Sequence, residues 1–182
     1  MKKRKCRQCM RNFQQQRPLQ YLCGWECATA YAKEKEEKKK DNDWKDNKKK
    51  LKEELKTKKD YEKELEIIVN RYIRKRDALL PCVSCNAQPG TYKLTAGHYY
   101  PAGSYKNLRF LEDNIHGQCW WNCNKNKHGN LIEYRKEIIR RIGEDRLEEL
   151  DRLSRIPRHY TIPELIELKE VYKEKIRILE NK

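Results

Sequence analysis

The sequence predicts a small α+β protein: a zinc-pinned ββα unit with mostly helical flanks and an N-terminal zinc-binding module. Three patterns carry this. Eight cysteines fall into two sets of close pairs, Cys6, Cys9, Cys23 and Cys27, then Cys82, Cys85, Cys119 and Cys123. Two β-rich stretches and a short helical one lie inside the second set, and helical periodicity fills the remainder.

The chain has 182 residues, 37% hydrophobic and 39% charged. That excludes one fully compact globule and calls for solvated helix or linker. The net charge of +15 points to a polyanion as partner, most simply nucleic acid. Residues 1–27 carry seven Lys/Arg against one acid and residues 67–128 nine against three, so twelve of the fifteen net charges lie beside the cysteines. The basic start MKKRKCRQC leads into no apolar stretch, which argues against a signal peptide. No apolar run approaches the ~20 residues of a membrane span. A cytoplasmic location is expected, and there paired thiols bind metal rather than form disulfides.

Three segments follow. Residues 1–27 hold Cys6-x2-Cys9 and Cys23-x3-Cys27, spacing that aims four thiolates at one structural Zn2+. So small a segment buries almost no core, and the metal would supply its folding energy. Residues 28–66 read as a charged helical linker, with fourteen Lys against twelve acids. From Tyr61, apolar residues through Leu79 recur on one helical face, and Pro81 is expected to end that helix. Residues 67–182 would be the main domain.

Within it, 92–99 (YKLTAGHY) and 108–115 read as two strands joined by PAGSYKN, and 121–128 as a short helix stopped by Gly129. Asn130, with Glu133 three residues on, is placed to cap the next helix, which Gly143 interrupts. Thr161-x-x-Glu164 is a capping box with Pro163 in the first turn of the last helix. The apolar faces of these helices suit core packing or a homodimer interface.

The chemistry-bearing residues are His98, near the end of the first strand, and Asn124, directly after Cys123. Phosphodiester hydrolysis needs an activated water and a counter-charge for the transition state. A neutral histidine can supply the first at pH 7 and a divalent cation the second. Lys93, Lys106, Arg109, Lys125 and Lys127 are expected on phosphates, with Arg74 and Arg76 along an exposed flank. Trp120 and Trp121 could stack on unpaired bases or be buried against the zinc site.

Over nearly its whole length the chain resembles the phage lambda NinG (Rap) recombination-protein family. The resemblance rests on the N-terminal cysteine cluster and charged helix, with Arg76-Asp77, Leu80–Cys85, Ala96–Tyr99, Leu108–Phe110, Asn114–Cys119, Cys123-Asn124 and Gly129-Asn130. It implies a ββα-metal (HNH-like) endonuclease for branched recombination intermediates such as Holliday junctions and D-loops, in the host cytoplasm, with recombination proteins as potential partners. The cysteine-asparagine step is also similar to phage endonuclease VII. On this resemblance His98 is the general base, Asn124 ligates a catalytic Mg2+ or Mn2+, and Asn114 orients the loop bearing His98. His116 is either a substrate or metal contact or a strand residue, and His128 is a second candidate ligand. Two departures stand out: Gly97 occupies the place of a common metal ligand, and Cys119-x3-Cys123 replaces a Cys-x2-Cys pair. Two other readings compete: a non-catalytic zinc-ribbon DNA-binding or mediator protein, and an HNH nicking nuclease without branch preference.

Overall fold

The computed structural model describes residues 3–181 as two units, Met1–Lys56 and Thr57–Lys182. The second starts ahead of the expected 67, because a helix that packs inside it begins at Lys58.

In the first unit, β1 (Lys3–Lys5) and β2 (Asn12–Gln14) form an antiparallel pair, followed by α1 (Trp25–Glu54). Its thirty residues, about 45 Å long, bury no side chain. Ion pairs of i,i+4 spacing, Glu34–Lys38, Glu36–Lys40 and Asp41–Lys45, support it, each worth roughly 0.3–0.5 kcal/mol. Among the described residues of this unit, Cys6 alone among the hydrophobic side chains is buried.

The second unit opens with α2 (Lys58–Arg76), where the Asp60 carboxylate accepts the Thr57 backbone N–H as an N-terminal cap. This helix ends before Asp77 rather than at Pro81, and Leu79, expected on its apolar face, is 89% exposed. The strands β3 (Leu94–His98) and β4 (Ile115–Cys119) pair antiparallel, Leu94 opposite Cys119 and His98 opposite Ile115. Three helices follow: α3 (Leu131–Ile142), α4 (Glu144–Ser154) and α5 (Ile162–Glu180). The Thr161–Glu164 capping box forms as expected. The Asn130 cap does not: its side chain donates to the Ser84 carbonyl instead.

The second strand lies later than 108–115. Leu108 and Phe110 are buried, as an inward-facing strand would require, but they enter different cores through a turn. Backbone bonds from Leu111 N to Leu108 O and from Asn114 N to Leu111 O close that turn. All five β4 residues, IHGQC, are buried, including the polar His116 and Gln118.

Side chains alternate across a strand, so the hairpin presents two faces. Ala96 and Ile115 face a core with Leu65, Val69, Ile73, Leu165 and Ile176 from α2 and α5. Each such aliphatic side chain contributes roughly 1.5–3 kcal/mol when fully buried. His116 and Gln118 face the other way, towards Tyr134 and Ser84. The free edge of β4 is satisfied by Asp77, which accepts from Gly117 N, by Val83, which donates to Gly117 O, and by Arg76, which donates to Ile115 O.

Candidate functional site

The two cysteine groups are built alike. In each, the backbone N–H of the first cysteine reaches a carbonyl five residues on (Cys6 to Arg11, Cys82 to Ala87), while its own carbonyl accepts from the fourth (Met10, Asn86). Met10 and Asn86, each directly after the second cysteine, take φ of 60° and 56°. This turn aims both thiols of a Cys-x2-Cys pair the same way. In each group the four sulfurs lie within 4.8 Å of one another. Sulfur–sulfur separations of 3.6 Å (Cys9–Cys23) and 3.7 Å (Cys85–Cys119) match the ~3.8 Å edge of a tetrahedron with metal–sulfur bonds of about 2.3 Å. Backbone N–H groups point at the sulfurs, Cys23 N at Cys6 and Cys119 N at Cys82. Burial pushes the Cys6 thiol up, but the N–H groups of Cys9, Gln8 and Cys23 outweigh it and bring it to about 6. Cys82 is lowered against burial in the same way, by Cys119, Ser84 and Cys85. Both groups can hold a zinc ion.

The expected short helix is a seven-residue π-helical turn, Trp120–Asn126. Its wider turn accommodates the extra residue of Cys119-x3-Cys123, and Cys123 N still donates to Cys119 Sγ at 3.3 Å. Gly129 N closes the turn on Cys123 O. His128, Gly129 and Asn130 then all have positive φ, so His128 leaves the helix and shares no helical face with Asn124.

His98 ends β3, half-buried, with Nε2 3.0 Å from the Arg109 carbonyl. A carbonyl only accepts, so Nε2 carries the proton and Nδ1 the lone pair. Burial holds the His98 pKa below its ordinary value, with Glu66 and the carbonyl opposing, so the ring is neutral at pH 7. Asn114 binds the chain just beyond: its Oδ1 accepts from Tyr100 N, and its Nδ2 donates to the Tyr100 and Leu108 carbonyls.

Asn124 lies on the other face of the hairpin. Its Nδ2 donates to Gln118 Oε1, and Gln118 Nε2 donates to Ser84 Oγ and the Gly129 carbonyl. Gln118 is fully buried and was not singled out in the sequence, where a lone glutamine between glycine and cysteine carries no signal. It also accounts for Gly97, since a Cβ there would stand 2.4 Å from Gln118 Oε1. The structure therefore does not join His98 and Asn124 in one contact. Among the described residues, the two four-cysteine sets are the groups of three or more His, Cys, Asp or Glu side chains able to share an ion. Asn124 belongs to neither set, so a Mg2+ or Mn2+ ion there would draw most of its oxygen ligands from water and substrate phosphates.

His116 is a core residue, 3% exposed. The Tyr134 hydroxyl donates to the Gly97 carbonyl, so His116 Nδ1 donates to the Tyr134 oxygen. Burial and the Arg76 charge lower its pKa to about 3. Two expected phosphate contacts are already engaged: Arg109 pairs with Glu62 and Glu66, and Arg76 with Asp77 and Glu112. Arg74, Lys93, Lys106, Lys125 and Lys127 are exposed. Tyr99, Tyr100 and Tyr105 pack on the second core.

The model for the family described as Bacteriophage Lambda NinG protein matches residues 1–182. The chain belongs to the bacteriophage lambda NinG family. Protein ninG of Escherichia phage lambda is 42% identical over 120 residues, covering 65% of this chain and 57% of the relative. Protein ninG of Salmonella phage P22 is 40% identical over 118 residues, 64% of this chain and 56% of the relative. The matches thus span under three fifths of these family members' length. No solved structure matches. No helix among the described residues is long and apolar enough to cross a membrane.

Proposed function

We propose that this NinG-family chain is an endonuclease acting on branched DNA, with His98 as general base and two structural zinc ions. One observation carries the reading: a neutral, half-buried histidine whose Nε2 is fixed by a backbone carbonyl, leaving Nδ1 as base, on a hairpin pinned by four thiols. Its strand carries no acid of its own, since no Asp or Glu lies between Asp77 and Glu112, while Glu62 and Glu66 of α2 are held by Arg109 beside it. His98 Nδ1 would take the proton of the attacking water, and Asn114 would hold the loop beyond it. A divalent cation would have to arrive with the DNA phosphates. Activity should fall in acid only below the ordinary imidazole range, because the base must stay neutral.

The separation of His98 from Asn124 favours a second reading, a zinc-bearing DNA-binding or recombination-mediator protein without catalysis. The deciding experiment incubates zinc-loaded protein with a four-way junction, a D-loop and linear duplex, with and without added Mg2+. The nuclease reading expects cleavage of the branched substrates that depends on the cation and drops by about 10²-fold or more in His98→Ala. Binding without cleavage, or cleavage untouched by that substitution, selects the second. Equal cleavage of plain duplex would remove the branch preference.

A further inference from the structure

The π-helical turn displays Trp120 and Trp121 side by side, ring centroids 5.6 Å apart, 37% and 57% exposed. Cys119 and Cys123 bracket the pair and Trp120 N is bonded to the Lys93 carbonyl, so the backbone that carries it is fixed. Two adjacent exposed indoles leave apolar ring area in water instead of in a core, and their rigid placement suits a partner. Lys125 lies over both rings, at 5.2 and 4.6 Å from the centroids, and Lys93 over Trp120 at 5.3 Å. No acid lies between Asp113 and Glu133. An aromatic pair framed by two lysines is complementary to a ligand with flat faces and a negative backbone.

We propose that Trp120 and Trp121 form a stacking platform for unpaired DNA bases, with Lys93 and Lys125 moving onto the flanking phosphates. This deepens the branched-DNA reading by assigning a surface to the single-stranded part of the substrate. Magnitudes favour the exchange. A base stacked on an aromatic ring contributes more than an exposed lysine–indole contact. In a duplex the base faces are already stacked, so the platform selects unpaired nucleotides. Trp120 lies beside Lys93, just past the end of β3 opposite His98, roughly 16 Å away at about 3.3 Å per residue. Platform and base would thus touch different parts of one substrate.

The test measures binding by fluorescence anisotropy without Mg2+, in a zinc-loaded His98→Ala background, so that failure of the nuclease reading cannot disturb it. The probes are a labelled oligo-dT, a linear duplex and a duplex with a single-stranded flap. Replacing both Trp120 and Trp121 by Ala should weaken oligo-dT and flap binding about tenfold or more, and duplex binding less than twofold. Trp44→Ala should change none of them. Trp121→Ala alone, the more exposed position, provides the same comparison if the double variant loses zinc. Equal losses on all probes, or no loss on oligo-dT, would overturn the proposal. In Trp25→Phe/Trp44→Phe protein, where the pair supplies the only indole emission, oligo-dT should quench the tryptophan fluorescence and duplex should not.

Discussion

The same knuckle turn serves two opposite environments. At Cys6–Cys9 it stands in a unit where no other described hydrophobic side chain is buried; at Cys82–Cys85 it is joined to a hairpin held between helices. Three of the four central cysteines are buried, against one of the N-terminal four. The difference teaches what each metal does. An N-terminal ion would replace a core, whereas a central ion would fix the end of a structure that already has one.

Metal removal should separate the two units most sharply. Structural zinc contributes on the order of 10–16 kcal/mol in small fingers, more than a unit without a core can forgo. Metal analysis of native protein should give two zinc ions per chain. Cys6→Ala should abolish hydrogen-exchange protection around the first knuckle and leave the second unit protected. Cys82→Ala should loosen the turn at 120–126 while α2 and α5 keep their protection. Collapse of both units in either variant would refute the division.

Acid should distinguish them next. All four histidines are in the second unit, and His116 is buried with its pKa lowered to about 3. Its folded form binds fewer protons than the unfolded chain, so its stabilising contribution is present above the ordinary value near 6.5 and is lost as pH falls below it. The slope is roughly 1.4 kcal/mol per pH unit. Denaturant unfolding of the second unit between pH 6.5 and 5 should show a loss of about 2 kcal/mol that is smaller in His116→Gln. An unchanged slope in that variant would assign the acid sensitivity elsewhere.

The legible parts of this molecule were those specified locally. The cysteine spacings, the Thr161 cap and the apolar stripes of α2 and α5 depend on neighbours within a few residues, and all formed. The parts that were misplaced depend on distant partners. In β4, IHGQC reads as polar because His116 is satisfied by Tyr134, and Gln118 by Ser84 and Gly129. Leu108 and Phe110 mimic strand alternation because two cores take one side chain each. Arg76 and Arg109 look like phosphate contacts until their acidic partners, brought in by α2 and the turn at 112, are seen. At the site, the place of His98 at the end of the first strand was legible, but its separation from Asn124 follows from strand pairing, which no single residue announces.

Glycines give a smaller test of the same contrast. A methyl at Gly97 would press on Gln118, whose amide links Asn124, Ser84 and Gly129. Gly97→Ala should destabilise the second unit by about 1–3 kcal/mol, as overpacking does, read by thermal unfolding. Gly24, at the start of α1, meets nothing within 4 Å of an added Cβ. Its φ of −167° is extended backbone, so Gly24→Ala should cost only what alanine loses as an N-cap, about 0.5–1 kcal/mol and confined to the first unit. A neutral Gly97→Ala would mean that Gln118 can move without consequence, and that Asn124 is not held by it.

The smallest effect bears on the turn the two knuckles share. Position four of each turn is left-handed, a region that a residue with a Cβ enters at a cost of roughly 1–2 kcal/mol unless it is asparagine or aspartate. The second knuckle meets the requirement with Asn86; the first has Met10, 58% exposed and outside any core. Met10→Gly should therefore stabilise the first knuckle by about 1 kcal/mol, and Met10→Asn by somewhat less. Asn86→Gly should change the second knuckle by only a few tenths. Competition with a zinc chelator provides the readout, since a coreless unit would fold with its metal and a gain of that size would tighten zinc roughly fivefold. If Met10→Gly leaves the affinity unchanged, the left-handed turn is absent from the first knuckle, and the likeness between the two sites reduces to the spacing of their cysteines.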